Sequence, residues 1–300
     1  MRAFAKINPT LHVVGRRDDG YHDLNVTFQS LALHDTIVFT PARGPFTIVC
    51  DEPSVPSDRT NLIWRAAAAL WRVARRRGSP PNVRVDLVKR IPTQAGLGGG
   101  SSNAAATLRA LDSLWRTELD PDALHGIAAS LGADVPYFLT GGSALGLDRG
   151  DRVFALPDWP SVWVTLVQPS FGVSTREAYA WLDRDRRMNR NRRSSTRNGW
   201  AALGWRLPPH EAGNDFERSV SRRHPAIARL IRGLERCGAV HAAMSGSGSA
   251  VFGVFRSRAA AETAALAMAA PRQPAIVTRT IGRREYAHRA RPLRQGLRAV

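Results

Sequence analysis

The sequence contains very little cysteine, and its two cysteines, Cys50 and Cys237, stand far apart in the 300 residues. There is no Cys-x-x-Cys pair and no Cys/His cluster at metal-ligand spacing, so neither a disulfide framework nor a structural zinc site is indicated. The N-terminus has no apolar signal core, and no stretch approaches about 18 uninterrupted apolar residues. We therefore expect a soluble cytoplasmic protein with no membrane partner and a core built from its 43% hydrophobic residues.

Lysine is nearly absent, because only Lys6 and Lys89 among the 43 basic residues are lysines. In a chain that prefers arginine this strongly, each lysine is a candidate functional residue, because a compact ammonium and a planar guanidinium are not interchangeable. Much of the net charge of +18 lies in two segments: residues 184–197 hold seven Arg and one Asp, and residues 281–300 hold six Arg and one Glu. The rest of the chain is only mildly basic. We expect the insert at 184–197 and the tail after about 284 to be exposed and dispensable for activity, with no specific nucleic-acid partner.

Strand and helix patterns alternate along the chain. Strands are predicted over 3–14, 26–41, 46–50, 83–91, 162–169 and 274–281, within 241–255, and as a short hairpin around 137–139 and 143–147 with Gly141-Gly142 between. Helices are predicted over 61–77, from about 101, and over 121–132, 174–184, 224–238 and 257–270. This order indicates an α+β fold with helices packed on sheets. The predicted division is a domain over 1–155, a second over 156–283 and a basic tail over 284–300.

Residues 92–102, PTQAGLGGGSS, carry the strongest functional signal. Glycines between a strand and a helix let backbone N–H groups converge on one point, and the serines add hydroxyls at the helix start, which suits the phosphates of a nucleotide. A flexible linker is the alternative, but this strand–loop–helix context favours phosphate binding. The predicted phosphate-binding residues are Pro92, Thr93, Gln94, Ala95, Gly96, Leu97, Gly98, Gly99, Gly100, Ser101 and Ser102.

The common phosphate-binding classes do not fit this loop. A Walker A motif needs Gly-Lys-Ser/Thr, and neither lysine follows a glycine. A dinucleotide fingerprint starting at Gly96 would need a third glycine where Ser101 stands. The protein-kinase signatures are also missing.

Three segments instead resemble the motifs of the GHMP kinase superfamily: FAKINPTLHVVGRRDDGYHDL (4–24), PTQAGLGGGSSNAA (92–105) and AAMSGSGSAVFGVF (242–255). Their order and spacing extend the resemblance over about residues 4–281. Within the superfamily, AKIN, GRRDDGYH, GLGGGSSNAA, GADVPYFL and GNDFE resemble the branch that phosphorylates the 2-hydroxyl of 4-diphosphocytidyl-2-C-methyl-D-erythritol in the non-mevalonate route to isopentenyl diphosphate. The resemblance implies a two-domain fold, with an N-terminal ribosomal-protein-S5-like ATP domain and a C-terminal ferredoxin-like domain.

The implied reaction transfers a phosphoryl group from ATP to an alcohol, and Lys6 and Asp134 are the catalytic candidates. Asn8 lies two residues after Lys6 on a strand, so the two side chains share a face and could meet one substrate hydroxyl. Asp134 stands in an apolar stretch after a helix, and the resemblance makes it the base or the electrostatic orienter of the acceptor hydroxyl; the sequence leaves both open. Mg²⁺ would be held mainly by ATP, with Ser101 or Ser102, since no Asp/Glu cluster offers a protein-built metal site.

Recognition of the cytosine is assigned by the resemblance to Tyr21, His22 and Tyr179. It implies that the base stacks between the rings of Tyr21 and Tyr179 while His22 hydrogen-bonds its edge, in keeping with the strength of base–aromatic stacking. Asp151, after GLDRG, is expected to be structural. The implied partner is this small CDP-linked molecule, and the sequence leaves a homodimer open.

Two other readings remain. One is a GHMP kinase with a different alcohol substrate. The other is a nucleic-acid-binding protein that uses its basic segments, which predicts binding that weakens steeply with salt and does not depend on Asp134. The second leaves the glycine loops unexplained.

Overall fold

The computed structural model describes residues 1–188 and 213–291, so residues 189–197 of the Arg-rich insert and 292–300 of the tail lie outside the described residues. Two sheets with helices packed on them confirm the α+β prediction. No helix in the described part is long and apolar enough to cross a membrane.

The strands are β1 (Arg2–Ile7), β2 (Thr10–Arg16), β3 (His22–Pro45), β4 (Thr47–Cys50), β5 (Pro81–Val88), β6 (Ser143–Leu147), β7 (Arg152–Ala155), β8 (Trp163–Val167), β9 (Gly213–Asn214), β10 (His241–Met244), β11 (Val251–Phe255) and β12 (Ala275–Arg279). The helices are α1 (Leu62–Val73), α2 (Gly99–Trp115), α3 (Pro121–Leu131), α4 (Val135–Thr140), α5 (Thr175–Met188), α6 (Asp215–Arg223), α7 (Pro225–Arg236), α8 (Arg258–Met268) and α9 (Arg283–Arg289).

The long strand β3 organises the first sheet. Its path runs β4-β5-β3-β2-β9, while β1 and β6 also pair with β3 and β7 pairs with β6. The β1–β3 pairing is antiparallel and sets Lys6 opposite Ser30. The two-residue strand β9 lies parallel to β2, so Asn214 from the second half of the chain sits beside Leu11. The first sheet therefore brings the first motif next to the GNDFE segment.

The second sheet has the order β10-β11-β8-β12, with every pair antiparallel. The β10–β11 pair comes from the third glycine-rich segment, and in the loop between these strands the Ala250 N–H donates to the Ala95 carbonyl in the loop before α2. An isolated bridge between Leu31 and Thr280 also ties β3 to the chain just after β12.

Helix α1 shows how the sequence forms the elements near the glycine loop of residues 92–102, which is called the phosphate loop after its predicted role. Its N-cap Asn61 accepts a hydrogen bond from the backbone N–H of Ile63, as capping asparagines do. Ile63, Ala66 and Leu70 are buried at helical spacing, and α1 packs on α2. The small alanines of α2 let the two helices and the first sheet approach closely.

The predicted strand around residues 137–139 is wrong, because residues 135–140 form helix α4. Aromatic residues favour strands, but Pro136 in the first turn and burial of both Tyr137 and Phe138 favour a short helix here. Gly141 follows with φ +67°, a backbone conformation that suits glycine and ends the helix.

The prediction of an exposed tail is wrong for residues 284–291. Helix α9 covers most of them, and Tyr286 and Ala290 are only 3% and 4% exposed in a cluster with Phe4 and Ile281. The arginines predicted a solvated segment, but burial of Tyr286 against Phe4 and Ile281 holds the helix on the protein. Residues 184–188 of the insert also continue α5, where Asp185 pairs with Arg223.

Candidate active site

Lys6 and Asp134 face each other where β1 meets the start of α4. The Lys6 ammonium is 3.3 Å from Asp134 Oδ2 and donates to Asn8 Oδ1 at 2.5 Å, while the Asn8 amide donates to the Thr27 carbonyl. The Lys6 side chain is 3% exposed, whereas Asp134 is 36% exposed. The structure therefore brings the two predicted catalytic residues and Asn8 together, with a buried cation behind a carboxylate that a ligand can reach.

The phosphate loop lies between β5 and α2. Gly98 is the N-cap of α2 with φ +71°, and a Cβ there would come within 2.6 Å of the Phe138 ring. No side chain caps the start of α2, so the N–H groups of its first turn are available to an anion. Among the described residues, the buried Ser102 hydroxyl has no hydrogen-bond partner within the chain. The loop therefore offers donors in the place where the sequence predicted phosphate binding.

The predicted loop residues do not all face the same way. Ala95 and Leu97 are buried, and their carbonyls accept the backbone N–H groups of Ala250 and Lys6. Thr93 and Gln94 are exposed, and Pro92 and Ser101 are half-buried. Because the side chains of Ala95 and Leu97 are buried, these two residues could contact a ligand only through their backbone. Their carbonyls already accept hydrogen bonds within the protein.

The third glycine-rich segment packs directly on this loop. A Cβ on Gly96 would lie 2.2 Å from the Ser245 carbonyl oxygen, and the Ser245 hydroxyl donates to the Gly96 carbonyl at 3.1 Å. A Cβ on Gly246 would lie 3.3 Å from both the Lys6 ammonium and Asn8 Oδ1. The three motifs found in the sequence, 4–24, 92–105 and 242–255, thus meet at one place. Gly96 has no room for a side chain there, and Gly246 has little, because the backbones approach each other closely.

The GNDFE segment supports the third loop, a role that sequence reasoning missed. The Asn214 amide donates to the carbonyls of Met244 and Gly246 at 2.9 and 2.7 Å, while its Oδ1 caps α6. Glu217 accepts the Met244 N–H at 3.0 Å. Burial, reinforced by nearby Glu235, raises the pKa of Glu217 to about 7. An asparagine before an acidic first turn is a helix-start signal that could have located α6 from the sequence.

Lys89, the other lysine, lies beside the start of α2. Its ammonium pairs with the fully buried Asp35, whose Oδ1 also accepts the N–H groups of Arg90 and Ile91 at 2.8 Å. A Cβ on Gly99 would lie 3.2 Å from the Lys89 ammonium. Asp35 therefore holds the chain as it leaves β5 for the phosphate loop, another contribution not expected from the sequence.

Of the three residues predicted to bind the base, His22 and Tyr179 lie together, whereas Tyr21 lies apart from them. His22 and Tyr179 stack with ring centroids 4.5 Å apart, and His22 Nε2 lies 2.9 Å from Asp183 Oδ1. Burial raises the pKa of the Tyr179 hydroxyl, which keeps it protonated. Asp183 follows Tyr179 by one helical turn on α5, which is the signal that could have identified it.

Tyr21 stands apart from this stack. Its ring is 57% exposed, and the Arg149 guanidinium lies over it at 5.2 Å. Arg149 also pairs with the buried Asp151, which holds the arginine in place, as expected of a structural aspartate. In this structure the ring stacked on Tyr179 is therefore that of His22, and the ring of Tyr21 faces Arg149.

Helix α5 links the His22–Tyr179 stack to the third glycine-rich loop. Its first residue, Thr175, has its hydroxyl 3.1 Å from that of Ser247 in the third loop. Within residues 1–188 and 213–291, no group of three or more His, Cys, Asp or Glu side chains could hold a metal ion.

Comparisons with known proteins identify the family of the chain. Residues 61–142 match the family profile of the GHMP kinases N terminal domain, and residues 201–272 match that of the GHMP kinases C terminal domain. The 4-diphosphocytidyl-2-C-methyl-D-erythritol kinase of Moorella thermoacetica is 40% identical over 93% of this chain and 98% of that protein. The enzyme of the same name from Solibacter usitatus is 43% identical over 86% of this chain and 81% of that protein.

Solved structures extend the comparison. A crystal structure of 4-(cytidine 5'-diphospho)-2C-methyl-D-erythritol kinase has a TM-score of 0.78 and 34% identity, over 94% of this chain and 99% of that one. The L. major mevalonate kinase in complex with R-mevalonate shares the fold, with a TM-score of 0.67 at 11% identity over 94% of this chain and 96% of that one. From its motifs, its site and these relatives, the chain belongs to the GHMP kinases and, within them, to the 4-diphosphocytidyl-2-C-methyl-D-erythritol kinase family.

Proposed function

We propose that the chain transfers the γ-phosphoryl group of ATP to the 2-hydroxyl of 4-diphosphocytidyl-2-C-methyl-D-erythritol, releasing ADP and the 2-phosphate. The observation that carries the proposal is the placement of the Lys6–Asp134 pair beside the glycine loop at the start of α2. The names of relatives at 40% and 43% identity support the choice of acceptor.

Asp134 acts on the acceptor alcohol. Its carboxylate is the exposed member of the pair, so it accepts the hydroxyl proton as the new O–P bond forms and the bond to the leaving ADP breaks. Lys6 stands behind it as a buried cation, fixed by Asn8. This cation orients the carboxylate and offsets the negative charge of the transferred group, which is most effective in a site shielded from water.

The start of α2 holds the phosphates. Uncapped backbone N–H groups and the unpartnered Ser102 hydroxyl supply donors, and the partial positive charge of a helix N-terminus favours an anion. These groups fit a nucleotide carried with Mg²⁺, for which Ser101 and Ser102 are the protein oxygens at hand. The metal, when bound, neutralises charge on the phosphate oxygens.

The His22–Tyr179 side receives the cytosine. His22 Nε2–H donates a hydrogen bond to Asp183 Oδ1, which leaves the other ring nitrogen to meet the polar edge of the base. Tyr179 and the exposed ring of Tyr21 supply aromatic faces for stacking. The His22 ring covers one face of Tyr179 in this structure, so a cytosine that stacks on that face displaces the ring together with its hydrogen bond to Asp183.

The cytoplasm is the compartment that suits this function, because it supplies ATP and keeps Cys50 and Cys237 reduced; both are free thiols in the structure.

The position of the new phosphate tests the reaction directly. We expect ³¹P NMR of a reaction with MgATP and the CDP-linked methylerythritol to show ADP and one phosphomonoester on the 2-hydroxyl. A phosphate on another hydroxyl would contradict the placement of Asp134, and release of inorganic phosphate alone would contradict the proposed acceptor.

A further inference from the structure

The C-terminal helix α9 is held tightly against the first sheet. The N–H of Arg283 donates to both carboxylate oxygens of Asp158 at 2.8 Å, and its guanidinium donates to the carbonyls of Ser143 and Leu156. Just before the helix, the Ile281 N–H donates to the Ser30 carbonyl at 2.9 Å. The helix is therefore fixed at its start to β6 and β3 and cannot slide along the sheet.

Tyr286 is the point at which α9 reaches α4. Its hydroxyl donates to the Phe138 carbonyl at 2.6 Å, and its ring lies 5.2 Å from that of Phe4. A Cβ on Gly141 would lie 2.2 to 2.5 Å from the Tyr286 ring, so the chain at the end of α4 is shaped to accept this side chain. Burial raises the pKa of Tyr286 to about 12, and the hydroxyl thus remains a donor at any working pH.

Helix α4 contacts both the proposed catalytic pair and the phosphate loop. Asp134 is its N-cap, and the Phe138 ring lies against Gly98, the N-cap of α2. The last carbonyls of a helix have no hydrogen-bond donors inside it. Here the Tyr286 hydroxyl donates to the Phe138 carbonyl, and the Arg109 guanidinium donates to the Leu139 carbonyl. Any tilt of α4 about this end would move Asp134 away from Lys6 and Phe138 away from Gly98.

We propose that Tyr286 is a positioning residue for phosphoryl transfer, which acts through α4 to hold Asp134 against Lys6 and Phe138 against the phosphate loop. This inference rests on the proposed function for the role of Asp134. It reverses the expectation that the chain after 284 is dispensable. It also gives the C-terminal segment a part in the reaction although none of its atoms touches the reacting groups.

Tyr286→Phe is the test, because it removes the one hydroxyl and keeps the ring. The matched control is Thr165→Val, which removes another buried hydroxyl, one that donates to the carbonyl of Ala261 in helix α8, on the second sheet. We expect Tyr286→Phe to lower kcat about tenfold, as small displacements of catalytic groups do, with the KM for the CDP-linked substrate changed less than about twofold. Thr165→Val should keep the wild-type kcat at a similar loss of thermal stability.

Hydrogen exchange gives a readout that does not depend on the substrate. Amides of residues 135–141 and 96–100 should exchange faster in Tyr286→Phe than in wild type, and not in Thr165→Val. Equal exchange and equal kcat in the two variants would overturn the inference while leaving the proposed function standing. Wild-type protein that ignores the CDP-linked substrate would sink the proposed function, and the exchange data would still decide whether Tyr286 holds α4.

Asp158→Ala is a second variant for the case in which Tyr286→Phe does not fold. It loosens α9 from an exposed position and removes no atom from the core. The inference predicts a lower kcat and faster exchange at 135–141, whereas wild-type values of both would overturn it.

Discussion

The ammonium of Lys6 and the carboxylate of Asp134 lie 3.3 Å apart, one buried and one open to a ligand. The cation is enclosed by the protein, whereas the carboxylate is partly exposed, which is the arrangement that the proposed role of Asp134 needs. The glycine loop and the third loop close around the same point, so the pair lies at the junction of all three motifs.

Asp134→Asn is expected to lower kcat by about 100-fold to 10,000-fold, because the amide cannot accept the hydroxyl proton. Binding of ATP, measured by titration calorimetry, should be little changed since the phosphate loop is intact. The control is Asp86→Asn, which alters an exposed pair with Arg84 on β5. Near-wild-type turnover of the Asp134 variant would remove it from the mechanism.

Lys6→Met is expected to reduce kcat by about 100-fold or more, because a preorganised charge near the transferred group is lost. Methionine has a similar length and suits the apolar surroundings of the buried stem, so the protein should remain folded. The comparison is Arg84→Met, which removes an exposed cation. Equal effects of the two variants on kcat would show that net charge, and not the position of Lys6, matters.

Tyr179→Leu is expected to raise the KM for the CDP-linked substrate about tenfold or more, as loss of one base–aromatic stack does. The KM for ATP, measured in the same assay, should stay within about twofold because the phosphate loop is untouched. Asp183→Asn should act in the same direction through His22. A change confined to the KM for ATP would place the cytosine elsewhere.

Glu217 makes stability depend on pH in a defined direction. Its pKa is about 7 when folded against an ordinary value of 4.5, so between these values the folded state binds the extra proton. The free energy of unfolding should therefore fall as pH rises from about 4.5 to about 7, by at most about 1.4 kcal/mol per pH unit from this group.

Urea unfolding at several pH values, with Glu217→Gln as the comparison, isolates this contribution. The variant lacks the titration, so its unfolding free energy should decline less than that of wild type across the window and should run parallel to it above pH 7. Parallel curves throughout would mean that the carboxyl does not titrate in this window.

The local features of the site could be predicted from the sequence because they depend on neighbouring residues. The glycine loop lies between a strand and a helix as expected, and the pairing of Lys6 with Asn8 follows from the two-residue period of a strand. The meeting of Lys6 with Asp134 came only from the resemblance to a family, since no local pattern relates residues so far apart.

Other features escaped prediction because they depend on tertiary contacts. Helix α4 contains aromatic residues that favour a strand, and its helical form is stabilised by burial of Tyr137 against Ser30 and Phe28. Helix α9 looked like a solvated basic segment because the burial of Tyr286 depends on Gly141, which is distant in the chain. The contact of Asp183 with His22 was not predicted, because Asp183 lies in the arginine-rich end of α5, where an acidic residue is expected to pair with a neighbouring arginine.

The most direct test of the whole account is Mg²⁺-dependent ATP consumption with 4-diphosphocytidyl-2-C-methyl-D-erythritol, run beside homoserine, mevalonate and a blank without acceptor, with Asp134→Asn as the control protein. The account predicts turnover with the cytidyl substrate alone, lost in the variant. A folded, ATP-binding protein that consumed ATP with another alcohol, or with none of them, would contradict the assignment of Tyr21, His22 and Tyr179 to a cytosine.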